Sequence, residues 1–256
     1  GNPGSGPTAC ELNGASCTFG GAPPPTPPPP PTPTPAPTPT PAPAPPPGGN
    51  PVDRVPLTTS GAKIVGADGR ELVIQGVNWF GFETGNHVVH GLWAREYVSM
   101  LQQIRSLGFN ALRIPWSIQA IRSSSINGVN YSLGANSRLQ GKTPLEALDL
   151  IVEEARRQGL LVILDNHSTA DDSHAQPLWY DSAYSENDWI ASWELLARRY
   201  ADDPNVVGAD LHNEPHGPAT WGGGGPADWR RAAARAANAI APIAPNWLMI
   251  VEGTEG

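Results

Sequence analysis

Five short apolar runs, each ending in polar residues and each separated from the next by an amphipathic stretch, limit what this chain can build. The runs lie at 73–79, 111–116, 160–167, 206–214 and 248–252. Their length and apolar continuity are those of strands buried on both faces, as in a parallel sheet. Between them the spacing predicts helices near 94–107, 144–158, 186–201 and 226–241. Strand and helix alternating with right-handed crossovers give an α/β fold on a parallel sheet, either open or closed into a barrel. A closed (β/α)₈ TIM barrel needs eight strands and about 250 residues. Five strands here predict about the first five β/α units of such a barrel.

The helix boundaries are signalled locally. Thr143-Pro144-Leu145-Glu146 reads as a capping box with proline at the first helical position. Leu148, Ile151, Val152 and Ala155 then share one face, and Gly159 is expected just past the end. On the helix before it, Met100, Leu101, Ile104 and Leu107 are expected to face inward, with Gly108 as its stop. Ser185 is the expected cap of the third helix, whose inner face carries Trp189, Trp193 and Leu196. Ahead of the first run, residues 63–74 predict two short strands around the Asp68-Gly69 turn.

In parallel sheets ligands bind at the carboxyl ends of the strands. Four of the predicted ends carry polar groups that converge if the fold is right. These are Arg113, His167, the pair Asn213 and Glu214, and Glu252. Glu214 leaves a buried strand beside an amide, a setting that suits a general acid with a raised pKa. By itself it equally suits a helix cap or a partner for a surface arginine. Arg113, inside an otherwise apolar strand, needs a buried anion, expected to be a carboxylate from another strand. His212 and His216 are four apart, but Pro215 between them prevents the shared helix face of a metal-binding His-Glu-x-x-His. His87 and His90 sit in a loop without an acidic ligand at metal-site spacing. No metal and no cofactor is called for.

Asn78-Trp79-Phe80-Gly81-Phe82-Glu83-Thr84, Val88-Val89-His90-Gly91-Leu92-Trp93, Arg113-Ile114-Pro115-Trp116, Asp210-Leu211-His212-Asn213-Glu214-Pro215-His216 and Val251-Glu252-Gly253 resemble, in order, the cellulase branch of glycoside hydrolase family 5. The resemblance covers about residues 60–253. It implies a (β/α)₈ barrel and retaining hydrolysis of β-1,4-glucan, as in cellulose. By position it implies that Glu214 is the acid/base and that Asn213 contacts the 2-hydroxyl at the cleaved sugar. Arg113 would steady the nucleophile, and His167 would line the same subsite. His90, Trp93 and Tyr131 would contact substrate, the last two by stacking. The family's nucleophile is a glutamate at the end of strand seven, expected beyond Gly256. Glu252 belongs to strand five and does not replace it, and Glu255 matches no motif position. These 256 residues by themselves are therefore expected not to turn over. Relatives often carry cysteines near Gly85 and Thr220 that are absent here, so disulfide stapling of those loops is not expected.

The remaining segments suggest a modular, secreted protein. In residues 1–20, Thr8-Ala9-Cys10-Glu11-Leu12-Asn13-Gly14-Ala15-Ser16-Cys17-Thr18 resembles the last strand of a family 2 carbohydrate-binding module. Whether Cys10 and Cys17 pair with each other is left open. Residues 21–54 read as a linker, with proline dense enough from Pro23 to Pro47 to favour extended polyproline II. Residues 55–256 are the partial catalytic barrel. The net charge of −8, with no basic run, argues against nucleic acid, and no apolar run is long enough to span a membrane. A monomer is expected for the full-length protein. Nine tryptophans invite sugar stacking, although core filling accounts for at least half of them. Two other readings fit the same residues: a sibling activity on mannan or xylan, or a β-glucan-binding protein without catalysis.

Overall fold

The computed structural model describes residues 11–12, 15–16, 49–172 and 176–254. The chain divides into two compact units, residues 1–40 and 41–256. In the first, Glu11–Leu12 pairs antiparallel with Ala15–Ser16. The remainder of the module-like segment, both cysteines, linker residues 21–48 and Glu255 lie outside the described residues.

The second unit is an α/β fold on a five-stranded parallel sheet in sequential order: β1 (Gly76–Asn78), β2 (Ala111–Ser117), β3 (Leu161–Ser168), β4 (Val206–Asp210) and β5 (Leu248–Ile250). Five helices are interspersed: α1 (Tyr97–Ser106), α2 (Ile118–Arg122), α3 (Pro144–Arg157), α4 (Glu186–Tyr200) and α5 (Trp229–Ile240). The first, fourth and fifth predicted strands are longer than those observed. The polar ends of the fourth and fifth leave the ladder to form loops that carry the chemistry, while the first loses mainly residues 73–75 at its start. α2 is unpredicted because five residues are too few to show a 3.6 period. It starts directly from β2, with Ser117 Oγ accepting from Ala120 N at 2.9 Å.

The expected caps are present. Thr143 and Glu146 form the capping box of α3, and Ser185 with Asp188 forms that of α4. Such a cap stabilises a helix by about 1 kcal/mol. Leu101 is fully buried and Met100 and Ile104 pack on the core, but Leu107 is exposed. It falls at the C-cap of α1, where the chain has already turned off the helical face. The expected pairing around Asp68-Gly69 is present but short: Val65 and Glu71 form an antiparallel bridge, Gly66 N donates to the Arg70 carbonyl at 3.0 Å and Leu72 N to the Ile64 carbonyl at 2.9 Å. Lys63–Val65 also pairs with Thr58–Ser60, a strand the sequence did not predict. Pro51–Arg54, read from composition as linker, forms a 3₁₀ turn. Arg54 donates to Asp68 and to the carbonyls of Arg70 and Glu71.

The two faces of the strands bury different material. Leu112, Ile114, Val162, Leu164, Val206 and Ala209 pack against the helices in the main core. On β2 and β3 the opposite residues follow the period-two rule of a strand, while on β4 a register shift after Val206 puts Val207 on the face opposite both Val206 and Ala209. Ala111, Leu161 and Val207 join Leu57 and Leu72 in a second, smaller core at the start of the strands. Along β3 that inner face then reads Leu161, Ile163, Asp165, His167. It changes from apolar to charged within one strand.

Candidate active site

Arg113, on the inner face of β2, gathers the strand ends. Its Nη1 lies 2.9 Å from Asp165 Oδ2 on β3. Its Nε donates to Asp210 Oδ2 on β4 at 2.9 Å. Its Nη2 donates to Asn213 Oδ1 at 3.0 Å and to Glu252 Oε1 at 3.1 Å. Asp165 and Asp210 are register partners on adjacent strands, which places both carboxylates on one side of the guanidinium. The expected buried anion is thus present, supplied by three strands rather than one.

One cation facing three carboxylates leaves an excess of negative charge, and the buried acids respond. Burial, and next the neighbouring Asp165, push the Asp210 carboxyl up to about 8. Burial also raises Asp165, against the hydrogen bond from His167 and the charge of Arg113. His167 Nδ1 lies 2.8 Å from Asp165 Oδ2. Burial opposes a charged imidazole there, but the hydrogen bond and charge of Asp165, with the charge of Glu83, carry His167 above its ordinary value. Glu83 is itself raised by burial, and its Oε2 accepts from Gly81 N at 2.7 Å.

Glu214 lies just past the end of β4 with an exposed side chain and a φ of 46°, a left-handed backbone uncommon outside glycine. Its amide donates to Glu252 Oε2 at 2.9 Å, and the Asn213 amide donates to the Asn166 carbonyl at 3.0 Å. Glu252 therefore bridges Arg113 and the backbone of Glu214. Together these bonds fix the turn in which strand becomes loop, with the Glu214 carboxyl left at the surface.

The β1–α1 loop holds a second group. His90 lies edge-on between Phe80 (centroids 4.5 Å apart) and Trp93 (5.4 Å). Its Nε2 lies 3.1 Å from both Thr84 Oγ1 and Asn86 Oδ1. Gly81, at φ 133°, permits the crossing beneath, since a Cβ there would meet the Val88 carbonyl at 2.3 Å. Tyr131 is half-buried on the main core and shares no hydrogen bond or ring contact with either group among the described residues. His212 is fully buried, with ring nitrogens 3.1 Å from Asn166 Oδ1 and the Gln176 carbonyl. Burial lowers it to about 3, so it is a neutral core residue.

The structure thus unites Arg113, His167, Asn213, Glu214 and Glu252 at one end of the sheet, and His90 with Trp93 in a loop at that same end. Reading the strand ends alone missed Asp165, Asp210 and Glu83. The available signal was an aspartate inside each of two apolar strands. A hollow of about 300 Å³ at the opposite end of β4, lined by Val55, Leu57, Asp203, Val207, Asn246 and Trp247, shares no residue with the arginine cluster.

Comparison with known proteins places the chain in a family. A profile described as Cellulase (glycosyl hydrolase family 5) matches residues 65–256. An endoglucanase of Paenibacillus polymyxa is 46% identical over 199 residues, covering 77% of this chain and 49% of the relative. The major extracellular endoglucanase of Xanthomonas campestris pv. campestris is 46% identical over 193 residues, covering 75% of this chain and 39% of its own. The solved catalytic domain of the latter superposes with a TM-score of 0.73 at 44% identity, over 78% of this chain and 57% of that one. A hyperthermophilic endocellulase from the archaeon Pyrococcus horikoshii does so at 0.71 and 42%, over 77% and 57%. The chain therefore spans about half the length of the relatives it matches.

Proposed function

The chain belongs to the cellulase family, glycosyl hydrolase family 5, and we propose that it carries the acid/base half of a retaining endo-β-1,4-glucanase acting on cellulose. The carrying observation is the Arg113 cluster, which ties Asn213 and the Glu214 turn to the ends of β2, β3 and β5. The endoglucanase relatives support the substrate class, and a cellotetraose complex is known for the Pyrococcus horikoshii enzyme.

In this reading the Glu214 carboxyl donates its proton to the glycosidic oxygen as the C1–O bond breaks. A second carboxylate, about 5–5.5 Å away, bonds to C1. Glu214, now a carboxylate, takes a proton from the water that attacks C1 and releases the second group. Asn213 holds the 2-hydroxyl, and Arg113 positions that second carboxylate. His167 lines the cleaved-sugar site, while His90, Trp93 and Tyr131 bind the sugars beyond it. The nucleophile is the family's strand-seven glutamate, placed by this proposal in the part of a (β/α)₈ barrel beyond Gly256. Residues 1–20 and 21–54 are proposed as a carbohydrate-binding remnant and its linker. The extracellular Xanthomonas relative supports secretion.

The test is Glu214→Gln in the complete protein. Hydrolysis of carboxymethyl cellulose should fall by about 10²–10⁴, the usual worth of general acid/base catalysis. The first-turnover burst of fluoride from β-cellobiosyl fluoride, whose departure needs no protonation, should fall far less, whereas steady-state release should slow because Glu214 is also the base of the second step. The first product from cellopentaose should carry a β-anomeric reducing end. Unchanged cellulose hydrolysis, or an α product, would overturn the assignment.

A further inference from the structure

The tryptophan side chains divide cleanly. Trp79, Trp116, Trp179, Trp189, Trp193, Trp229 and Trp247 are buried, while Trp93 and Trp221 are 54% and 56% exposed. The exposed aliphatic residues, such as Leu107 on α1 and Leu195 on α4, are scattered over the fold. Among the described residues the exposed aromatics are Phe80, Trp93 and Trp221, and each lies in a segment that follows a strand's carboxyl end. Two of them belong to the His90 group. Trp221 does not.

Trp221 sits in the β4–α5 loop, seven residues after Glu214. The loop is tightly built. Gly222, Gly223 and Gly224 have φ of 107°, 94° and 79°, conformations that residues with a Cβ rarely adopt. The fully buried Asp228 caps α5 by accepting from Arg231 N at 3.2 Å. Its oxygens also accept from Gly222 N at 3.1 Å and Gly224 N at 2.8 Å. Thr220 N donates to the Ala227 carbonyl at 2.9 Å, and Trp229 N to the Thr220 carbonyl at 2.8 Å. Below, Trp229 packs against Trp179 and Trp189 and donates to the Glu252 carbonyl at 2.8 Å. A Cβ at Gly222, Gly223 or Gly225 would meet nothing within 4 Å, so the surface beside the indole is open. A large apolar ring is thus held out to water by a fixed backbone, against the usual preference for burial.

We infer that Trp221 is the stacking platform for the glucosyl unit on the leaving-group side of the cleaved bond. This rests on the reading of Glu214 as acid. An acid that protonates the glycosidic oxygen stands between the sugar being attacked and the sugar that departs. His90 and Trp93 come from the loop after β1, at one edge of the sheet, and Trp221 from the loop of the acid itself, three strands away. A linear glucan lying across the strand ends from the first loop past Glu214 reaches the Trp221 loop with its departing segment. The flat apolar face of a β-glucosyl ring matches an exposed indole. The rigid loop keeps the ordering cost of stacking low.

Trp221→Ala and Trp221→Tyr in the complete protein are compared on two substrates. Cleavage of cellotetraose expels a sugar as leaving group, whereas β-cellobiosyl fluoride expels fluoride, which has nothing to stack. Trp221→Ala should lower kcat/KM on cellotetraose about tenfold and leave fluoride release unchanged, and Trp221→Tyr should restore most of the loss. Equal losses on both substrates, or none on either, would overturn the inference. A wild-type protein that hydrolyses neither substrate would overturn the glucanase reading, and the inference with it.

Discussion

The two ends of the parallel strands are made by the same backbone and do opposite things. At the amino ends, Ala111, Leu161 and Val207 form a small apolar core with Leu57 and Leu72. Two rungs further along β3, the same face carries Asp165 and then His167, and a charged network replaces the apolar contacts. The first end gains stability by removing apolar area from water, about 1.5–3 kcal/mol for each large side chain. The second brings one arginine and three carboxylates together at partial burial, which yields little net stability because desolvation opposes attraction. Its value is geometric: it fixes where Asn213 and Glu214 leave the sheet.

The contrast breaks most severely at Arg113. Arg113→Met in the complete protein removes the one cation that Asp165, Asp210 and Glu252 share. Stability should fall by about 3–5 kcal/mol, because Asp210 is left buried without a cation and Asp165 keeps only His167 as partner. The folded fraction should also lose a hundredfold or more in kcat on carboxymethyl cellulose, through displacement of the catalytic turn. Leu161→Ala at the other end should cost about 2–5 kcal/mol in denaturant unfolding. Its kcat/KM, measured well below the melting temperature, should equal that of wild type. An activity loss matching that of Arg113→Met would show that the two ends are not separable.

What the sequence disclosed follows the same division. Strand and helix positions were legible because apolar period and capping residues are local signals, as at Thr143 and Ser185. Arg113 stood out because a charge inside an apolar strand demands a partner. The partner's identity did not, since Asp165 and Asp210 face Arg113 only through parallel register, a relation between segments 97 residues apart in the case of Asp210. Leu107 was misread and Thr58–Ser60 missed for a related reason. Apolar spacing cannot show where the helix stops, and the Asp-Gly signal cannot show that the strand before it has a second partner.

The charged end should also be the pH-sensitive one. In the unfolded chain Asp210 titrates near 4, about the usual carboxyl value, whereas in the fold it is raised to about 8. A folded pKa above the unfolded one means that the folded state holds the extra proton between those limits. Its stabilising share is complete below about pH 4 and is lost as pH climbs towards 8. Asp165, shifted the same way, adds to the trend. Asp210→Asn mimics the protonated form permanently. Melting temperature should therefore fall less between pH 5 and 8 in this variant than in wild type. Parallel slopes would show that the proton resides elsewhere.

The smallest expected effect separates structure from function within the loops themselves. Ser185 and Asp228 both cap helices that follow strand ends, Ser185 accepting from Asp188 N at 3.2 Å and Asp228 from Arg231 N at the same distance. Ser185→Ala should cost about 1 kcal/mol of stability and leave activity alone, because its loop holds no residue assigned to substrate. Asp228→Asn keeps an acceptor for the helix but replaces one of the two oxygens that hold Gly222 and Gly224. Its stability cost should be no larger, yet the loop beneath Trp221 loosens. Cellotetraose hydrolysis should then drop several-fold while β-cellobiosyl fluoride hydrolysis stays at the wild-type rate. If both caps behave as Ser185 does, the buried carboxylate of Asp228 serves its helix alone, and the rigidity of the tryptophan loop has no part in binding.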